Sequence, residues 1–264
     1  MSAKKICIGS GAIELFFTLF VLSTYVENPV VELPLGKIEG AIKKSISGRN
    51  FLSFEGVPYG QPPVGKNRFE EPLPVEPWKG TKIARNIYKC LQYRHLRPES
   101  TEEPVVGNED CLYLNIYTPS LDARAELDVI VFIHGGAFMF NYGGFQGPEV
   151  LLDRDIVYVN FNYRLGPLGF LSTEDDVVPG NNGLKDQIEA FKFIRDYIRY
   201  FGGNPNSVTI SGNSAGAASV HFHYLMKKSR GLFNRGISQS GTALNPWVLM
   251  ENPLEKTKTD RITT

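Results

Sequence analysis

A serine flanked by glycines two residues to either side, Gly212-Asn213-Ser214-Ala215-Gly216, is the part of this sequence best suited to covalent chemistry. A hydroxyl serves as a nucleophile when a sharp strand-to-helix turn holds it clear of its neighbours. Glycines at those spacings let strand and helix approach without Cβ clashes. The flanking residues supply that context, because Val208–Ser211 reads as a short strand and Ala215–Met226 as a helix. The chemistry that suits Ser214 is attack on an acyl carbonyl, giving an acyl-enzyme that water cleaves. A second element, His134-Gly135-Gly136-Ala137-Phe138, directly follows the apolar run Val129–Ile133. A Gly-Gly turn leaving a strand presents bare backbone N–H groups that can bond a developing oxyanion. Alone, each element is compatible with an ordinary βα connection. In this order, together, they point to a serine hydrolase.

The elements that must position these residues follow from periodicity. Val30–Glu32, Lys37–Lys44 and Phe51–Glu55 read as early strands, followed by a Pro-rich irregular stretch from Pro58 to Pro77. Tyr113–Thr118, Val129–Ile133 and Ile156–Phe161 read as further strands. The last two are apolar enough for strands covered on both faces. Leu184, Ile188, Phe191, Ile194 and Ile198 then repeat at helical spacing, predicting an amphipathic helix over Leu184–Tyr200. Gly236–Gln239 reads as one more strand. Strands followed by strand–helix alternation imply an α/β fold, with a mostly parallel central sheet and helices on both faces.

Composition excludes several roles. Lys+Arg and Asp+Glu number 28 each, so the formal net charge is zero. That balance supplies no counterion-release term for a nucleic-acid partner. No Cys-x-x-Cys or His-x-x-x-His spacing occurs, so no metal site and no cofactor is expected. Lys4 and Lys5 precede an apolar stretch densest over Leu15–Leu22, and small residues follow at Ser23 and Thr24. This pattern predicts a signal peptide over residues 1–23, a secreted domain over 24–264, and no membrane span after cleavage. Cys7 would leave with the signal. Cys90 and Cys111 remain, and read as one disulfide in a secreted chain or as two buried thiols.

Several stretches resemble the type-B carboxylesterases, the carboxylesterase and cholinesterase branch of the α/β-hydrolase fold. They are Phe54–Phe69, Glu109–Pro119, Ile133–Phe138, Asn162–Leu171, Gly180–Gln187, Phe201–Val220 and Gly236–Gly241, in a style closest to insect-type general esterases. The resemblance spans about residues 28–256 and corresponds to the amino-terminal half of the family. It implies a carboxylic-ester hydrolase acting on a small-molecule ester. Ser214 would be the nucleophile, and Gly135, Gly136 and Ala215 the oxyanion donors. Cys90 and Cys111 would form the family's first disulfide.

The sequence departs from the family in three ways. Asn213 stands where the family usually has Glu, which lowers the negative field beside Ser214. The segment Leu91–Asp110 contains no Trp, and the only tryptophans are Trp78 and Trp247, which disfavours a choline ester held by cation–π stacking. The third is length: 50 residues follow Ser214, whereas the family's triad Glu and His lie far downstream. His221 lies ~10.5 Å of helical rise from Ser214, too far for a general base. His221 and His223 therefore read as structural, His134 as part of the Gly-Gly turn, His95 as part of the disulfide loop, and Glu174–Asp176 as a solvated charge run. The chain is expected to be a fragment or truncated isoform, poorly folded and nearly inactive alone. The competing reading is a non-catalytic, cholinesterase-like adhesion or binding protein. A lipase or peptidase on the same fold is a third.

Overall fold

The computed structural model describes residues 27–94 and 104–249. The expected signal segment with Cys7, and His95, lie outside those residues. In chain order the strands are β1 (Val30–Leu33), β2 (Gly36–Glu39), β3 (Ala41–Lys44), β4 (Asn50–Pro58), β5 (Thr81–Ile83), β6 (Gln92–Tyr93) and β7 (Val105–Val106). They continue as β8 (Tyr113–Thr118), β9 (Leu127–Ile133), β10 (Ile156–Phe161), β11 (Gly203–Asn213) and β12 (Arg235–Gln239). The helices are α1 (Gly166–Phe170), α2 (Asn182–Tyr197) and α3 (Ala215–Leu225).

A seven-stranded sheet, ordered β12-β11-β9-β10-β8-β4-β3, forms the centre. It is parallel from β12 to β10 and antiparallel from β10 to β3. The parallel character read from the sequence thus belongs to the half that carries Ser214. Side-chain alternation separates two faces. Phe54, Leu114, Ile116, Val129, Val131, Val157 and Phe161 face the main core, joined by Ile188, Phe191 and Ile194 of α2 and Val220 of α3. Phe51, Tyr117, Phe132 and Tyr158 face the other way, where Leu152 of the turn Leu151–Asp153 packs on them. Among the described residues the helices gather on the first face. The second is covered by this short turn, whose 3-10 geometry ends within one cycle.

Two boundaries differ from the sequence reading for steric reasons. The strand expected over Lys37–Lys44 breaks at Gly40 and feeds two sheets, β2 in the small β1-β2-β5 sheet and β3 in the large one. A Cβ at Gly40 would run into the Ser53 carbonyl and the Phe54 ring. The helix α2 ends at Tyr197, one 3-10 turn follows, and Gly202 at φ 78° stops it in the left-handed region. A buried ion pair ties α2 to the exit of β10. Arg164 donates from Nε and Nη2 to Asp186 at 2.8 and 2.7 Å, and from its backbone N–H at 3.0 Å. Cys90 and Cys111 are bridged and buried, which removes the alternative of two free thiols. Among the described residues, no helix is long and apolar enough to cross a membrane.

Candidate active site

Ser214 leaves the end of β11 with φ 56° and ψ −119°, a conformation that costs a non-glycine residue ~1–3 kcal/mol. Hydrogen bonds on either side hold it there. Its N–H donates to the Gln239 carbonyl at 2.9 Å, and its carbonyl accepts from the Ala218 N–H at 3.0 Å. The second bond makes Ser214 the cap of α3. The flanking glycines are sterically required: a Cβ at Gly212 would meet the Gly216 backbone, and one at Gly216 would meet the Ile133 carbonyl. The ends of β9, β11 and β12 therefore converge on this turn. Ser214 is half-buried, and its Oγ has no hydrogen-bond partner among the described residues.

The His134–Phe138 turn lies directly against it. A Cβ at Gly135 would sit 2.6 Å from the Asn213 carbonyl and 3.1 Å from Ser214 Cβ. Gly136, Ala137 and Phe138 are all at positive φ, 112°, 54° and 59°. The Gly136 carbonyl accepts from the N–H groups of Met139 at 2.8 Å and Phe140 at 3.1 Å. The result is a single left-handed turn, whose leading N–H groups are left open as at any helix start. Among the described residues the N–H groups of Gly136, Ala137 and Ala215 have no acceptor. Two flanking bonds keep the turn in place. The Phe138 carbonyl accepts from the Gly166 N–H at 2.7 Å, and Gln92 Oε1 accepts from the Asn141 N–H at 2.6 Å.

The described histidines are engaged elsewhere. His134 is buried and its Nδ1 lies 2.8 Å from the Gly135 carbonyl. His223 is buried in a side-chain network, with Nε2 2.8 Å from Gln187 Oε1 and Nδ1 2.8 Å from Ser229 Oγ. Gln187 in turn donates to Ser219 Oγ at 3.1 Å. Burial pushes the His223 imidazole down to about 3, so it is neutral at ordinary pH. His221 accepts from the Ala243 N–H at 3.2 Å. Asn213 places its amide 3.5 Å from the Gln239 carbonyl, on the β12 side of the elbow.

The structure therefore brings Ser214, Gly135, Gly136 and Ala215 together. The Cys90–Cys111 bridge lies apart, beside a cavity of about 10 Å³ also lined by Arg68, Glu109 and Arg164. That volume holds one water and no substrate. Sequence reasoning missed Ala137, whose N–H opens only because the turn is left-handed, and Gln92, which reaches the turn across 49 residues. No periodicity signals either.

With this geometry in place, comparison with known proteins is direct. Residues 27–262 match the carboxylesterase family. The chain belongs to that family. It is 48% identical over 250 residues to Esterase FE4 of Myzus persicae, covering 92% of this chain and 44% of that one. It is 50% identical over 233 residues to Venom carboxylesterase-6 of Apis mellifera, covering 87% and 42% respectively. The juvenile hormone esterase of Manduca sexta, solved with OTFP covalently attached, superposes with a TM-score of 0.76 at 35% identity. That match covers 88% of this chain and 48% of that one. The chain thus spans less than half the length of these relatives, and over that span it shares their α/β-hydrolase fold.

Proposed function

We propose that the protein is a carboxylic-ester hydrolase acting on small-molecule esters through Ser214. The observation that carries this reading is the juxtaposition of a strained, half-buried serine with an N–H-lined left-handed turn. Ser214 Oγ would attack the ester carbonyl. The developing oxyanion would be met by the N–H groups of Gly136, Ala137 and Ala215, with Gly135 pressed against the elbow as a further donor. The alcohol would leave first, and water would then release the acid from the acyl-enzyme. The general base lies outside the described residues, because no described imidazole reaches Ser214. The names of the three relatives given above, each an esterase, support the reaction class. Secretion fits the Lys4–Lys5 and Leu15–Leu22 pattern together with a buried disulfide, which oxidising compartments favour.

A non-catalytic binding protein has no use for a strained nucleophile turn, and this one has both glycines and the serine in place. The deciding test is hydrolysis of a short-chain nitrophenyl ester by the protein at its full natural length, beside its Ser214→Ala variant. Turnover in the first and none in the second is the expected result. Equal turnover in both would overturn the assignment, and none in either would favour a binding protein.

A further inference from the structure

We infer that His134 is a positioning residue, which aims the Gly136 N–H by holding the Gly135 carbonyl from behind. The inference rests on the ester-hydrolase reading above and adds a residue to it. A carbonyl oxygen can only accept, so the 2.8 Å contact between His134 Nδ1 and the Gly135 oxygen requires the proton on Nδ1. The Gly135–Gly136 peptide is planar and trans, so its C=O and N–H point in opposite directions. Fixing the carbonyl towards the imidazole fixes the Gly136 N–H away from it. The preceding peptide is held the same way, because Tyr163 Oη donates to the His134 carbonyl at 2.8 Å.

The ring itself has little freedom. It stacks on Tyr163 with centroids 4.4 Å apart and planes within 15°, and it is buried at 1% exposure. Its Nε2 has no partner among the described residues. An unpaired buried lone pair costs free energy, and nothing in packing alone explains keeping an imidazole here instead of an apolar ring. The bond made by Nδ1 does explain it. Burial pushes this imidazole down to about 4, so it remains a neutral Nδ1–H donor throughout the ordinary pH range. It is thereby excluded as the general base and retained as a fixed support.

The turn needs such a support. Three consecutive residues at positive φ, two of them non-glycine, are not a preferred conformation, and the Gly135–Gly136 peptide is where the turn could relax by flipping. A flip would withdraw the Gly136 N–H from the oxyanion and present a carbonyl in its place.

The test compares His134→Asn with His134→Gln in the protein at its full natural length, with Ser214→Ala as the control. Asparagine places its amide nitrogen at the position of Nδ1. Glutamine matches the imidazole better in size but carries its nitrogen one bond further out. Positioning predicts that the Asn variant keeps kcat within about threefold. The Gln variant should lose about tenfold or more in kcat with KM little changed, short of the ~10²–10³ for deleting a donor. Affinity for a trifluoromethyl ketone, which forms the oxyanion covalently, should fall in parallel. A space-filling role predicts the reverse order, and equal kcat in both variants would also overturn the inference. Loss of Ser214-dependent turnover in the unmutated protein would instead strike the ester-hydrolase reading. A crystal structure decides the inference without activity: the Gly135 carbonyl should rotate in His134→Gln and stay in His134→Asn. An unchanged carbonyl in both would refute it.

Discussion

The two halves of the central sheet do different work. From β10 to β3 the strands run antiparallel, pack large side chains on both faces, and satisfy their buried polar groups internally. Asn115 Nδ2 donates to Asn160 Oδ1 at 2.7 Å, and Glu55 accepts from Lys43 at 2.5 Å and from Tyr117 at 3.1 Å. From β10 to β12 the strands run parallel, so their carboxyl ends all reach one edge. There β9 delivers His134–Phe138, β10 delivers Tyr163, and β11 delivers Ser214. Among the described residues β12 is the outermost strand on this side, and its Ile237 is 48% exposed. Chemistry gathers where strand ends coincide, and the antiparallel half supplies the stability against which a strained turn can be held.

This contrast can be broken from either side. The largest effect should come from Ser214→Ala, which should lower ester turnover by on the order of 10⁶ while leaving the unfolding transition nearly unchanged. Gly216→Ala should be next. Its Cβ has no space against the Ile133 carbonyl, so the convergence of β9 and α3 would be forced apart, costing several kcal/mol and the activity together. Chemical denaturation beside an activity assay would show whether the two losses coincide. Asp186→Asn removes one partner of the buried ion pair and should cost about 3–5 kcal/mol. In the antiparallel half, Phe51→Ala should cost about 3–5 kcal/mol in urea denaturation. In this last case, turnover per folded molecule should be unaffected. If it were lost, the two halves would not be separable.

The smallest effect concerns pH. His134 and His223 are held neutral by burial, at about 4 and about 3, against an unfolded value near 6.5. Below pH 6.5 the unfolded chain binds protons that the folded one refuses. The stability they contribute is thus full above that pH, and is lost progressively as pH falls towards about 4 and then about 3. Urea midpoints should decline between pH 7 and pH 5, and less so in a His223→Gln variant. A flat profile would contradict the burial of both rings.

The sequence made the parallel half more legible than its counterpart. Ile156–Phe161 is bounded in the structure as its apolar run suggests, and α3 begins at Ala215 as the Gly-x-Ser-x-Gly spacing requires; in the antiparallel half Tyr113–Thr118 alone is bounded as read. The antiparallel pairing of β4 with β8 was not legible, because apolar runs carry no strand direction. The extra residues of β11, from Gly203, carry no strand signal, because Asn and Pro, as at Asn204, Pro205 and Asn206, are disfavoured in strands. At the site, Ser214 and the glycines stood out because chemistry restricts their types. Tyr163 and Gln92 did not, since each acts through a contact between segments distant in sequence.

The central claim is that Ser214 is the nucleophile, and covalent labelling tests it most directly. The protein at its full natural length would be treated with a fluorophosphonate, digested, and mapped by mass spectrometry. A single adduct on the peptide carrying Gly212–Gly216, localised to Ser214, is the predicted result. An adduct on another serine, or none while ester hydrolysis continues, would contradict it.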